Sequence, residues 1–198
     1  MIFDRIDIRT ITEDDIRTIA QIMPQRYEKA QKFRFENDRL RAIGAGLLIM
    51  RNMEVPDESL LLQGAHGKPY MEGKEHFNLS HSGDFVVFLK DTVPVGIDIE
   101  QMSGRNIDIA QKIFTPEEYR WYLAGDPLER FYTLWTRKES VMKATGRGLS
   151  LIPQKVDSGV FSDGRIEAEG CRWLLSTEIS DGYAVSICRA DQNGPGVK

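Results

Sequence analysis

Two cysteines in 198 residues, Cys171 and Cys188, with no C-x-x-C pair, leave no basis for a zinc or redox centre. An excess of base is missing too. The net charge is −4, against the basic balance usual in a nucleic-acid binder, so no nucleic-acid partner is expected. No apolar run approaches the roughly 20 residues of a membrane span. The opening Met1–Arg9 carries charges throughout and does not read as a signal peptide, so a cytoplasmic protein with no membrane partner is expected. Neither G-x-x-x-x-G-K-[ST] nor G-x-G-x-x-G occurs, and the ATP-loop and Rossmann readings fall away. There is no internal repeat and no low-complexity tract.

What is present is an ordinary soluble composition, 41% hydrophobic and 28% charged, enough for one substantial domain or two small ones. Residues 2–8 alternate as a strand. Thr12 followed by Glu13-Asp14-Asp15 is a helix start, and Pro24 interrupts that helix. Asn37 to Met50 reads as a helix with Leu40, Ile43, Leu47 and Met50 inward; Gly44 and Gly46 weaken it unless something packs closely there. The middle is strand-rich: His76 to Ser80, a turn at His81-Ser82-Gly83-Asp84, then Phe85 to Lys90 and Val93 to Glu100. Thr115-Pro116-Glu117-Glu118 predicts a capped helix start, and Asp126-Pro127-Leu128-Glu129 repeats that grammar for a helix ending near Gly146. Ser162-Asp163-Gly164-Arg165 and Ser180-Asp181-Gly182-Tyr183 read as hairpin turns. Helices mixed with antiparallel strands predict an α+β fold.

Chemistry concentrates in two stretches. In Gly96-Ile97-Asp98-Ile99-Glu100, the acids are two apart and share one side of a strand. Like charges so placed repel unless a cation sits between them, and Gly96 admits a close approach by backbone or ligand. In Trp135–Lys143, Glu139 and Lys143 are four apart and share a helix face. That pair is also a favoured surface arrangement, but here it lies among Leu134, Trp135, Val141 and Met142. Three carboxylates and a lysine suit magnesium-assisted chemistry on phosphates, because magnesium takes oxygen ligands. Glu118, three residues after Thr115, reads as the reciprocal partner of that cap, with a role in the chemistry as the alternative. His81 sits in a turn where it can donate to a phosphate or move a proton. Pro24 to Arg41 holds six bases and three acids, either a solvated face or a landing site for a polyanion.

At these residues the chain resembles a 4′-phosphopantetheinyl transferase of the large, surfactin-synthetase-activating type. Gly67-Lys68-Pro69, Phe77 to Ser82, Val95 to Glu100, Phe114 to Tyr119 and Trp135 to Lys143 stand in the family's order and spacing. The resemblance implies a monomer of two similar α+β halves with the active site between them, divided as 1–92 and 93–190 with a loose tail at 191–198. It implies transfer of the phosphopantetheine arm of coenzyme A to a serine of an apo acyl or peptidyl carrier protein. Asp98, Glu100 and Glu139 would hold Mg2+. Glu139 or Lys143 would help remove the serine proton, with His81 beside them. Arg26, Lys29, Arg41, Lys68, Ser80, His81, Lys138 and Lys143 would bind coenzyme A. Ala42 stands where some relatives have a polar residue, and Ile99, between the paired acids, cannot ligate metal. The aromatic segment Phe114–Gly125 is the expected carrier dock, with Arg120 contributing charge. A degenerate, non-catalytic module holding coenzyme A or a carrier is the alternative.

Overall fold

The first half of the chain begins with β1 (Ile2–Asp7) and three helices, α1 (Glu13–Ile22), α2 (Pro24–Gln31) and α3 (Glu36–Met53). Thr12 starts α1 by reciprocal capping with Asp15, and Pro24 opens α2 at a position where its missing N–H costs nothing. A short hairpin, β2 (Leu62–Gln63) and β3 (Pro69–Tyr70), leads to β4 (His76–Ser82) and β5 (Phe85–Asp91). β4 and β5 turn on Gly83-Asp84 alone, and β5 then pairs with β1, giving the order β1-β5-β4. This computed structural model describes residues 1–105 and 107–194. The last four residues of the expected tail lie outside that range.

Ile43 to Ile49 of α3 are buried without a break, because the helix lies between the sheet and α1 with α2. Its glycines make that possible. A Cβ on Gly46 would lie 2.8 Å from Arg26 Cδ, and one on Gly44 would lie 3.2 Å from Val86 Cγ2.

The second half repeats the plan. β6 (Val95–Gln101) is followed by α4 (Ala110–Ile113), α5 (Pro116–Leu123) and α6 (Pro127–Ala144), then β7 (Arg165–Ala168), β8 (Cys171–Ser180) and β9 (Tyr183–Ala190). The sheet order is β6-β9-β8-β7. In each half the lead strand pairs with the last strand of a hairpin, and one long helix covers the sheet. Asp181-Gly182 turns β8 into β9 with both residues at positive φ, as an Asp-Gly hairpin should. The Ser162–Arg165 turn differs from expectation. No strand precedes it; Gly164 instead accepts from Leu175 N, and the β7–β8 hairpin turns at Glu169-Gly170.

The halves join along two seams. One is apolar: Val87 and Leu89 of β5 meet Val95, Ile97 and Ile99 of β6, with Tyr183. The other is polar, where β4 lies beside β6 without a backbone ladder between them. From Asn78 on, every second residue of β4 reaches across. Asn78 Oδ1 accepts from Ile97 N at 2.9 Å, Ser80 Oγ donates to Asp98 at 2.8 Å, and Ser82 Oγ donates to Glu100 at 2.8 Å.

Candidate active site

The site grows out of the polar seam. Gly96 packs against the backbone of α6 at Ser140 and Ala144, where a Cβ would collide with main-chain atoms that cannot move aside. This contact brings Lys143 to Asp98. Lys143 Nζ donates to Asp98 Oδ1 at 2.5 Å and to Ser80 Oγ at 2.8 Å. Trp135, Glu139 and Lys143, at successive helix turns, face Asp98 and Glu100 across the same cleft.

The cluster carries more negative charge than it neutralises. Asp98 is 3% exposed, and its Oδ2 is buried with no hydrogen-bond partner. Burial, then Asp98 and Glu100, push Glu139 up to about 7, with Lys143 opposing. Burial and Asp98 also raise Glu100 from its ordinary value, against the Ser82 bond and Lys143. An orphaned carboxylate oxygen beside two acids reluctant to ionise fits a hard dication, which would supply the missing positive charge. The three acids do not, however, form a ready-made ligand set. Among the described residues no three acid, cysteine or histidine groups converge tightly enough to hold a metal, and Lys143 covers one side of Asp98.

Two chambers meet at the Glu100 end of the cluster. The larger, about 980 Å³, is walled by Arg26, Lys29, Phe33, Ala42, Leu61 and strand β2, and is also lined by Asp98, Glu139 and Lys143. The smaller, about 550 Å³, is lined by Asp38, Arg41, Arg105, Phe131 and Tyr132. His81, Glu100 and Trp135 line both. Burial in the cleft, then Arg41 and Lys143, hold His81 below its ordinary value, so it is neutral at pH 7. Arg26 lines the larger chamber with its Nε buried and unpartnered, while Glu58 caps α2 by accepting from Gln25 N and Arg26 N.

Several expected ligand contacts lie elsewhere. Lys138 is fully buried on the far side of α6. It pairs with Glu118 at 2.9 Å and donates to the carbonyls of Pro153 and Val156, so no phosphate reaches it. Glu118 thus both caps Thr115 and neutralises Lys138. Lys68 turns its ammonium away from the chamber, to the carbonyls of Val95 and Ala144. Arg41 lines the smaller chamber, apart from Arg26 and Lys29, and is tied to Asp38 and the Gly83 carbonyl. In the expected dock, Tyr122 is buried, and Tyr119 and Trp121 pack on the Phe114–Phe131 cluster; of its large apolar groups Leu123 is exposed. The segment backs the smaller chamber through Phe131 rather than lining it. Asn78, Ser82 and Trp135 were not singled out from the sequence. Their signal is the alternation of Asn78, Ser80 and Ser82, matching the period of Asp98 and Glu100, and the one-turn spacing of Trp135 before Glu139.

A profile of the 4′-phosphopantetheinyl transferase superfamily matches residues 94–188, which span the acid pair, α6 and the second sheet. The chain is 31% identical to the 4′-phosphopantetheinyl transferase Sfp of Bacillus subtilis, over 92% of this chain and 88% of that one. It is 38% identical to the 4′-phosphopantetheinyl transferase gsp of Aneurinibacillus migulanus, over 81% of this chain and 74% of that one. A solved holo-[acyl-carrier-protein] synthase from Thermotoga maritima overlaps it with a TM-score of 0.40 and 22% identity, over 51% of this chain and 64% of that chain. The chain belongs to the 4′-phosphopantetheinyl transferase superfamily, among its Sfp-type members.

Proposed function

We propose that the chain transfers the 4′-phosphopantetheine arm of coenzyme A to a serine of an apo acyl or peptidyl carrier protein. The observation that carries this is two chambers that share His81, Glu100 and Trp135 at the edge of one carboxylate cluster, because a two-substrate transfer needs donor and acceptor to approach a common point. Coenzyme A occupies the larger chamber. Arg26 and Lys29 stand where they attract its nucleotide phosphates, and Lys143, Ser80 and His81 stand at the end where its pyrophosphate would lie. The carrier's serine enters by the smaller chamber, past Arg105 and Arg41. The halves 1–92 and 93–190 supply these two roles jointly.

In the reaction the serine oxygen bonds to the β-phosphorus of coenzyme A. The bond from that phosphorus to the bridging oxygen breaks, and adenosine 3′,5′-bisphosphate leaves. Glu139, as the carboxylate, takes the serine proton, while Lys143 stays paired with Asp98. Lys143 sits where its positive charge meets negative charge developing on the leaving bisphosphate. Asp98, Glu100 and Glu139 would hold Mg2+, which when bound polarises the pyrophosphate and neutralises its charge. His81, neutral and at the junction, orients a phosphate oxygen by donating a hydrogen bond.

The test is mass spectrometry of a panel of apo carriers incubated with the protein, coenzyme A and Mg2+. The expected outcome is addition of one phosphopantetheine per carrier and release of adenosine 3′,5′-bisphosphate. Binding of coenzyme A or carrier with no mass gain on any carrier would leave a non-catalytic module instead.

A further inference from the structure

The β2–β3 hairpin forms one wall of the larger chamber through Leu62, Gln63 and Pro69, with Leu61 just before it. Two short strands of two residues each are too little to hold such a wall in place. The hairpin's turn is tight: Gly67 has a φ of 81° and donates to Gly64 O at 2.9 Å, while Gly64 N donates to Lys68 O at 2.9 Å. From this turn Lys68 crosses to the other half of the molecule. Its ammonium donates to Val95 O at 2.8 Å and to Ala144 O at 3.2 Å. Val95 is the first residue of β6 and Ala144 the last of α6, the two elements that carry Asp98, Glu100, Glu139 and Lys143. A cation on the final carbonyl of a helix also meets the negative end of its dipole.

We propose that Lys68 is a positioning residue. It straps the β2–β3 wall to the junction of β6 and α6 and so sets the shape of the coenzyme A chamber, without touching the ligand. The proposal rests on the larger chamber being the coenzyme A site. It departs from a direct phosphate contact, because the ammonium is already spent on two backbone carbonyls of the other half. A geometric consequence is that the wall and the chemical groups move as one body. Loss of the strap loosens binding of the donor but leaves the reacting groups, held by Gly96 and the seam, in register.

The experiment uses the full chain with Lys68→Met, which keeps an unbranched apolar stem and removes the ammonium, and Lys68→Gln, which keeps an uncharged donor. Backbone amide exchange of residues 62–70, measured without ligand, should rise about tenfold or more in Lys68→Met and less in Lys68→Gln. The Michaelis constant for coenzyme A should rise about tenfold in Lys68→Met, with kcat and the carrier's Michaelis constant within about twofold of the parent. The salt dependence of coenzyme A binding should be unchanged, since no ligand contact is lost. Parent-like exchange in residues 62–70 in both variants overturns the strap whatever the kinetics. A shallower salt dependence, or a fall in kcat at an unchanged Michaelis constant, overturns it in favour of a ligand contact. Should Lys68→Met fail to fold, the Lys68→Gln variant carries the same measurements. If the parent transfers nothing from coenzyme A, the enzymatic reading fails, and the exchange data alone still decide the strap.

Discussion

The two halves of this protein share one plan and divide its work. Each has a lead strand paired to a returning hairpin and a long helix across the sheet. In the first half the lead strand β1 carries Asp4, which is occupied by Asn52 and Arg51 at the surface, and α3 turns alanine and glycine toward its neighbours. In the second half the corresponding strand β6 carries Asp98 and Glu100, and the corresponding helix α6 carries Trp135, Glu139 and Lys143. The lesson is that repeating a fold does not repeat its chemistry. One half supplies a wall with basic residues on it, and the other carries the acids. The placement of each charge, rather than its count, separates them.

The sharpest test of that division is a matched pair of substitutions on the two lead strands. Asp98→Ala should lower kcat about a thousandfold or more, the several kcal/mol associated with losing a metal ligand and charge clamp. Asp4→Asn should stay within about twofold of the parent, as surface pairs contribute little. Steady-state kinetics at saturating Mg2+ check both, and near-equal losses would erase the distinction between the halves.

A second pair splits α6 itself. Lys138→Met strands Glu118 in the interior and should cost about 3–5 kcal/mol of stability by chemical denaturation, with Glu118→Gln in the same chain recovering much of it. Lys143→Met leaves Asp98 its bond from Ser80 and should cost less stability than Lys138→Met, while lowering kcat about a hundredfold. Smaller again, Arg26→Ala and Lys29→Ala should each raise the Michaelis constant for coenzyme A about tenfold and leave kcat alone, as lost uniform binding does. Calorimetry with dephospho-coenzyme A should show a smaller loss, if these bases read the 3′-phosphate.

The pH dependence follows from Glu139, whose value near 7 lies above its ordinary 4.5. Between those two values the folded protein holds a proton that the unfolded chain has released. Metal-free stability therefore falls as pH rises from about 4.5 through 7, while Mg2+ affinity rises over the same range because a ligand must be deprotonated. Thermal melts at pH 5 to 8, with and without Mg2+, check this; Glu139→Gln should flatten both trends. The smallest effect concerns the carrier. Arg105→Glu should raise its Michaelis constant several-fold, and Arg120→Glu should change it less than twofold, because the α5 segment lies behind the chamber.

Much of this was legible in the sequence, for local reasons. Capping at Thr12, Thr115 and Asp126 is written in adjacent residues, and so are the i, i+2 acids and the i, i+4 pair. Gly96, Gly44 and Gly46 announced close approach, and the structure places backbone or core atoms against each. What stayed hidden depends on which way a side chain turns after folding. Lys138 and Lys143 look alike in a motif, yet five residues of helix rotation send one to Glu118 and the other to Asp98. Lys68 reads as an exposed basic tip because nothing near it in sequence reveals Val95 and Ala144 as its partners. The aromatic run from Phe114 reads equally well as surface or core, and only the rings of Phe131 and Tyr122 decide it.

Gly96 gives the reactive cluster its dimensions by contributing nothing but a hydrogen. Any laboratory effort to retune donor or carrier preference will find this residue silent, since each replacement pushes strand from helix before it alters a single contact with substrate. Variation must therefore come from the chamber walls, at residues such as Phe33, Ala42 and Arg105. A library that spares Gly96 and randomises those walls should keep far more working members than one that treats all cleft positions alike.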